Sequence, residues 1–278
     1  MVFKSFSKIN LSLNINKRLK NGLHDIQSHF CLIDLFDEID IKKNKKYKDE
    51  IKFFGKYNRN IKKNDNSIIK TLKLLRRDKL LSNFYTISIK KQIPIYAGLG
   101  GGTSNAIYLT KHLLKNKINT KTISNLRKKI GSDCNLFLHK QGFLQNLNKI
   151  KIIEKRYKLF FLLVYPNIKC STKNVYSKVK TFSPKIKFNS SILKSKKHYI
   201  NSLIKGTNDL QSIVEKKYPI ISNLLFEIRQ IKGCYFSRMS GSGSVCYGVF
   251  QSKKRVIAAL NRLKSKHPSF WVTIAKTI

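Results

Sequence analysis

At 278 residues, 41% of them hydrophobic, the chain is long enough to bury a sizeable core, and its length predicts about two domains. Its 57 Lys and Arg against 14 Asp and Glu give a net charge of +43, yet the basic residues are spread from Lys4 to Lys276 alongside abundant Asn and Ile, a mark of AT-rich codons; non-specific polyanion binding is expected, a specific nucleic-acid partner is not. The longest apolar run, residues 159–165, is far short of the roughly 20 residues of a membrane helix, no apolar leader stands at the N-terminus, and five cysteines without a CxxC pair argue against zinc and for a reducing, cytoplasmic setting with no membrane partner.

In chain order, residues 5–15 alternate through Phe6, Ile9, Leu11, Leu13 and Ile15, interrupted by the Ser7-Lys8 pair, and predict a strand. Residues 30–41 predict a second extended stretch, and the Lys/Asn-rich residues 42–66 predict strands joined by loops. Residues 67–77 place Ile68, Ile69, Leu72, Leu74 and Leu75 at helical spacing. Residues 85–89 alternate as a strand, and a helix starting at Thr103 or Ser104 carries Ile107, Leu109, Leu113 and Leu114. A short helix over 122–130 ends at Gly131, where a C-terminal glycine belongs, and Leu136-Phe137-Leu138 predicts a buried strand. After Asn148 the pattern restarts with a strand over 159–165, a weakly patterned stretch over 184–197 and a helix over 219–231 with Pro in its first turn. Strands over 234–238 and 245–250, a helix over 253–263 and a last strand over 270–278 complete the chain. Strands and helices mixed without regular βαβ alternation predict an α+β, two-lobed protein, divided into domains 1–150 and 151–278.

Between the strand at 85–89 and its following helix lies Pro94-Ile95-Tyr96-Ala97-Gly98-Leu99-Gly100-Gly101-Gly102-Thr103-Ser104. Glycine has no Cβ to bar positive φ or close approach, so consecutive amides can turn on one cluster of oxygens. The helix start adds free N–H groups and a positive dipole end. A glycine turn without a ligand is the alternative, and the flanking strand and helix speak against it. This is not a Walker loop, since Gly102 stands where that motif has Lys, nor a dinucleotide fingerprint, whose third Gly is Thr103 here. It reads as a phosphate cradle of another kind.

Most of the scarce carboxylates lie in polar stretches or on helix faces and read as solvated charges. Asp133, after Gly131-Ser132 and before an apolar run, is either a cap or a catalytic base. Lys8 is by default a solvated lysine; facing a buried Asp it would favour the charged carboxylate and polarise a bound hydroxyl. Arg238-Met239-Ser240-Gly241-Ser242-Gly243-Ser244 is either a tight hairpin or a second ligand-contacting loop. His24, in a turn, is by default merely exposed.

Taken together, these segments resemble the GHMP kinase superfamily, whose pattern is an N-terminal strand, a Pro-x-x-x-Gly-Leu-Gly-Gly-Gly-Ser-Ser-x-Ala loop and a C-terminal Ser-Gly-Ser-Gly turn. The order is unchanged over nearly the whole chain. Within the superfamily, Ser7-Lys8-Ile9-Asn10-Leu11, Gly22-Leu23-His24 with Gln27, Gly131-Ser132-Asp133 and Arg238-Met239-Ser240-Gly241-Ser242-Gly243 are most similar to the branch acting on a cytidine-diphosphate-linked methylerythritol. The resemblance implies a two-lobed GHMP kinase fold with the active site in the cleft between lobes, ATP and Mg²⁺, and a hydroxyl of a small nucleotide-linked substrate as acceptor in isoprenoid precursor biosynthesis. It implies Asp133 as general base, with Lys8 orienting and polarising the hydroxyl. ATP contacts are implied along Pro94, Ala97, Gly98, Leu99, Gly100, Gly101, Gly102, Thr103 and Ser104, with Asn66 and Lys91 beside the nucleotide and Thr103 and Ser104 as candidate metal contacts. On the substrate side it implies Asn10, His24 reading the cytosine edge, Tyr176 stacking on the base, Ser240 and Gly241.

The chain departs from the family at Leu23, where an aromatic is usual and one face of the cytosine would be held by aliphatic contact. Thr103 replaces Ser, Asn135 replaces a frequent Pro, and Asn146-Leu147-Asn148-Lys149 stands for a Gly-x-Gly-Glu element, reversing a charge. The alternatives are another GHMP kinase acting on homoserine or mevalonate, a basic nucleic-acid-binding protein, and a kinase fold whose activity is lost.

Overall fold

The computed structural model describes residues 1–59, 61–154 and 157–278. Its elements run β1 (Val2–Asn10), β2 (Asn14–Arg18), β3 (His24–Asn44), β4 (Glu50–Phe54), α1 (Ser67–Arg77), β5 (Phe84–Lys90), α2 (Gly101–Leu113), α3 (Thr120–Lys129), β6 (Gln141–Asn146) and β7 (Lys149–Ile152). They continue as β8 (Phe160–Tyr165), α4 (Thr172–Tyr176), α5 (Lys196–Lys205), α6 (Gln211–Lys217), α7 (Pro219–Arg229), β9 (Cys234–Met239), β10 (Cys246–Phe250), α8 (Lys253–Lys266) and β11 (Trp271–Lys276). This is the mixed α+β content that the sequence predicts. Two compact units form, each from separated stretches: the first from Met1–Lys8, Leu35–Ile95 and Gly100–Leu138, the second from Ile9–Asp34, Tyr96–Leu99 and His139–Ile278.

In the first unit β5 pairs antiparallel with the second half of β3 and parallel with β4. The registers Ile39↔Ile89 and Ile41↔Ile87 put four isoleucines on one face, where they close a core with Ile68 and Leu72 of α1 and Leu109 of α2. α1 spans the predicted residues because its start is local: the Asn66 side chain accepts the Ile68 and Ile69 amides, capping the helix directly before its apolar stripe.

The second unit holds an antiparallel sheet in the order β11-β8-β10-β9. Phe161, Leu162, Leu163 and Val164 of β8 are all fully buried, which explains a strand that reads as an uninterrupted apolar run. A second set of pairings joins β2 and β6 to the first half of β3, and β7 to β6.

Several expectations change. The strand over 5–15 is two strands, because Leu11 N donates to His29 O and Leu13 N to Thr207 O, turning the chain from one partner to another between them. Residues 42–66 hold only the end of β3 and β4, and Asn60 lies outside the described residues. Leu136-Phe137-Leu138 is not a strand but the end of a 3-10 turn over Ser132–Leu138. α2 starts at Gly101, two residues before Thr103, because Gly100 takes φ +71° and ends the preceding loop there. Gly131 is not among the left-handed glycines. Helices α4, α5 and α6 and the β6–β7 hairpin have no forerunner in the apolar pattern. The hairpin turn at Asn146-Leu147-Asn148-Lys149 is built by a side chain, Asn146 Oδ1 accepting the Asn148 and Lys149 amides at 2.9 Å each. All five cysteines are free, and among the described residues no helix is long and apolar enough to cross a membrane.

Candidate active site

The glycine loop is shared between the units, Tyr96–Leu99 belonging to the second and the residues from Gly100 onward to the first. In the first unit a Cβ on Gly100 would stand 2.8 Å from the Phe137 ring and 3.3 Å from Lys8 Cε, on a backbone already at positive φ. One on Gly101 would stand 3.0 Å from the Ile93 side chain and 3.5 Å from Lys91 Nζ. Gly102 differs: it is exposed, and its Cβ would meet nothing closer than Ser67 Oγ at 3.6 Å. Of Gly100, Gly101 and Gly102, the fold therefore requires the first, crowds the second against Ile93 and leaves the third free to change. The first backbone bond of α2 runs from Ser104 N to Gly100 O at 2.8 Å, so the amides of Gly101, Gly102 and Thr103 precede the helical ladder at its positive end.

Beneath this turn lies Lys8 on β1, 3% exposed, its Nζ 3.2 Å from Asp133 Oδ2. Asp133 is 28% exposed, so its carboxylate leans on a buried ammonium while part of it faces outward. The 3-10 turn carrying Asp133 is tied to α2 by Lys111 Nζ, which donates to Phe137 O at 2.8 Å, while the Phe137 ring lies buried under Gly100. Burial first, and the Asp133 carboxylate second, push the neighbouring Cys134 thiol up to about 12. A Cβ on Gly131 would stand 3.3 Å from Thr103 Oγ1, so this glycine serves close approach rather than a helix end.

Three nucleotide-side candidates have their polar groups engaged inside the fold. Ser104 is fully buried, its hydroxyl donating to Phe6 O at 2.6 Å and sharing a bond with Ser5 Oγ at 2.7 Å. Asn66 spends Oδ1 on the α1 cap and Nδ2 on the Lys62 and Lys63 carbonyls. Lys91 forms a buried ion pair with Asp37, which also accepts the Gln92 and Ile93 amides at 2.8 and 2.9 Å and so fixes the approach to the buried Pro94. Asp37, fully buried, is an exception to the solvated reading that holds for most of the carboxylates. Its signal was a carboxylate inside the apolar stretch 30–41. Asp25, also buried, pairs with Lys185 at 2.9 Å.

In the second unit Asn10 is buried, its Nδ2 donating to Ser28 Oγ at 2.9 Å and its backbone amide to Ser240 Oγ at 3.4 Å. Ser240 Oγ donates to Gly98 O at 3.0 Å, and a Cβ on Gly98, itself at φ +76°, would collide with the Ser240 carbonyl oxygen. Ala97 O accepts the Val245 amide at 3.2 Å, and Ala97 and Leu99 are buried. Asn208 Nδ2 bridges the Met239 and Gly241 carbonyls at 2.8 Å each, and Arg238 reaches the Leu11, Gly206 and Leu203 carbonyls. The second glycine turn is thus a tight hairpin whose serine also seats the loop backbone at Gly98. Tyr96, exposed with φ +55°, is the strained non-glycine position of the loop.

His24 opens β3 with its ring 5.2 Å from Tyr176 and 6.5 Å from Phe182, centroid to centroid. Burial, and then Arg18 on the paired strand, lower its pKa and favour the neutral imidazole, which offers one donor and one acceptor.

The family described as GHMP kinases N terminal domain matches residues 66–139, and that described as GHMP kinases C terminal matches residues 193–269. A 4-diphosphocytidyl-2-C-methyl-D-erythritol kinase of Pelagibacter ubique is 38% identical over 283 residues, covering 99% of this chain and 98% of its own length. The enzyme of that name from Caldanaerobacter subterraneus subsp. tengcongensis is 30% identical over 288 residues, covering 99% and 96%. Among solved structures, a 4-(cytidine 5'-diphospho)-2C-methyl-D-erythritol kinase superposes with a TM-score of 0.71 at 20% identity, covering 99% of both chains. A homoserine kinase from Cytophaga hutchinsonii gives 0.68 at 14% identity, covering 100% of this chain and 93% of its own, and at such identities the likeness is one of fold.

Proposed function

The chain belongs to the GHMP kinases, in their 4-diphosphocytidyl-2-C-methyl-D-erythritol kinase branch, and on that premise we propose that it transfers the γ-phosphoryl group of ATP to a hydroxyl of 4-diphosphocytidyl-2-C-methyl-D-erythritol in the non-mevalonate route to isoprenoids. The observation that carries the reading is the Lys8–Asp133 pair beside Gly100, at the open amides of α2.

In this reading the nucleotide's phosphates lie against the amides of Gly101, Gly102 and Thr103, and Gly102 is glycine because the ligand, not the fold, needs the space. The Lys8 ammonium orients the acceptor hydroxyl. Its oxygen attacks the γ-phosphorus as the bond to the β–γ bridging oxygen breaks; ADP departs, and the hydroxyl proton passes to the Asp133 carboxylate. The loose transition state of phosphoryl transfer asks little of a base, so the position of Asp133 outweighs its basicity.

Among the described residues no three His, Cys, Asp or Glu side chains gather to hold a metal. That suits Mg²⁺ carried on the nucleotide's own phosphates, with the Thr103 hydroxyl and the Asp133 carboxylate as protein oxygens for it; bound there it would offset phosphate charge. Ser104, with its hydroxyl engaged at Phe6, acts through the helix start. Asn66 and Lys91 act as the cap of α1 and the floor of Gly101, and Pro94 with Ala97, Gly98 and Leu99 sets the loop's entry. His24 reads the base edge beside Tyr176, while Ser240 accepts the Asn10 amide and Gly241 is held in its turn by Asn208. The Asn146 side chain closes the β6–β7 turn where the family has glycines, so the hairpin forms despite that departure.

The test is purified protein with ATP and Mg²⁺, following ADP release and product phosphorus signals, with the cytidylylated methylerythritol, homoserine and mevalonate as separate acceptors. Turnover with the first alone is expected. Turnover only with homoserine or mevalonate would move the chain to a sister activity, and sequence-selective nucleic-acid binding that resists salt would move it to another class.

A further inference from the structure

Phe182 is 47% exposed, yet the backbone that carries it is held firmly. Its neighbour Ser183 donates its amide to Ile15 O at 2.8 Å and its hydroxyl to Asp209 Oδ2 at 2.7 Å, and Asn16 Nδ2 donates to Ser183 O at 3.1 Å. Asp209 is itself fixed, accepting the Ile15 amide at 2.7 Å. Further along, Gln27 pairs with Ile186 through both its amide atoms, at 2.9 and 2.7 Å, and Lys185 pairs with Asp25. Residues 182–186 are thus laced to β2 and β3, and the ring that this lacing presents stands beside His24. An exposed aromatic on a backbone so constrained loses little entropy on binding and offers a flat apolar face.

Leu23, directly before His24, is 43% exposed and aliphatic. His24 is accordingly flanked by a ring at Tyr176 on α4 and a ring at Phe182, with no ring from its own turn. Resting on the function proposed above, we infer that Phe182 supplies a stacking wall for the substrate's pyrimidine base, in the role that an aromatic at position 23 would otherwise fill. The neutral imidazole of His24 gives this pocket its hydrogen-bonding edge, and Phe182 gives it a second π-face beside Tyr176.

The test is steady-state kinetics of Phe182→Ala and Phe182→Trp, together with calorimetric binding of CDP, UDP and ADP to each full-length protein. For Phe182→Ala the KM for the cytidylylated substrate should rise about tenfold, and CDP binding should weaken by the same factor, the usual loss of one stacking partner. kcat and the KM for ATP should stay within about twofold, and Phe182→Trp should retain wild-type values. Adding Leu23→Tyr to Phe182→Ala should restore most of the loss, an outcome that a merely structural role for Phe182 would not produce. Phe182→Leu, which keeps apolar bulk, should behave like Phe182→Ala and separates stacking from folding. An unchanged substrate KM in Phe182→Ala, alongside normal wild-type turnover, would overturn the inference while leaving the proposed function standing. A wild-type protein that neither turns over this substrate nor binds CDP would overturn both.

Discussion

Lys8 Nζ lies 3.2 Å from Asp133 Oδ2, with the lysine closed off from solvent and the carboxylate partly open to it. Such a pair differs from one meant only for stability. Removing one partner of a fully buried pair strands a charge and costs roughly 3–5 kcal/mol, but a carboxylate with solvent access can rehydrate. Lys8→Met should therefore lower stability by only about 1 kcal/mol, while kcat falls by roughly 10²-fold or more. Thermal unfolding beside kinetics checks the pairing of these two numbers; a variant that keeps its activity would dissociate Lys8 from the chemistry.

The Lys91–Asp37 pair gives the opposite expectation. Both side chains are buried, and Asp37 also holds two amides. Lys91→Met should cost about 3–5 kcal/mol in chemical denaturation, and Lys91→Met with Asp37→Leu should recover part of that loss.

The glycines separate fold from ligand. Gly100→Ala meets both a positive φ and the Phe137 ring, so a loss of about 2 kcal/mol or more is expected. Gly102→Ala has room, so its melting temperature should match wild type while the KM for ATP rises several-fold. An unchanged KM would show that no ligand approaches Gly102.

His29 supplies a pH dependence. Its ring packs among Phe143, Phe188 and Tyr199, its Nδ1 is closed off from solvent without a hydrogen-bond partner, and burial lowers its pKa from 6.5 to about 4. Between those values the unfolded chain binds a proton that the folded chain refuses. The stability contributed by neutral His29 is thus complete above about pH 6.5 and is lost as pH falls toward 4, by about 3 kcal/mol in all. His29→Phe should flatten that part of the stability–pH curve, measured as the difference from wild type by denaturant titration.

What the sequence disclosed follows how local each cause is. α1 was legible to its ends because an Asn cap and an apolar stripe lie side by side in the chain. The glycine loop was legible because glycine is a backbone signal, though which of its glycines the fold requires depends on Phe137, Lys8 and Ile93, brought in from elsewhere. The break between β1 and β2 was hidden, since Leu11 and Leu13 keep the alternation while bonding to His29 and Thr207, distant in sequence. Asp133 could be singled out but not assigned, because its partner lies 125 positions earlier on β1. Asp37 and the laced residues 182–186 leave no mark on the apolar period, because side-chain hydrogen bonds hold them.

The proposed chemistry turns on Asp133 taking part in phosphoryl transfer. Its most direct test is kcat of Asp133→Asn at saturating ATP and cytidylylated methylerythritol, in protein whose melting temperature and CDP affinity match wild type. The expected result is a fall of roughly 10²–10⁴-fold; a kcat within about threefold of wild type would contradict it.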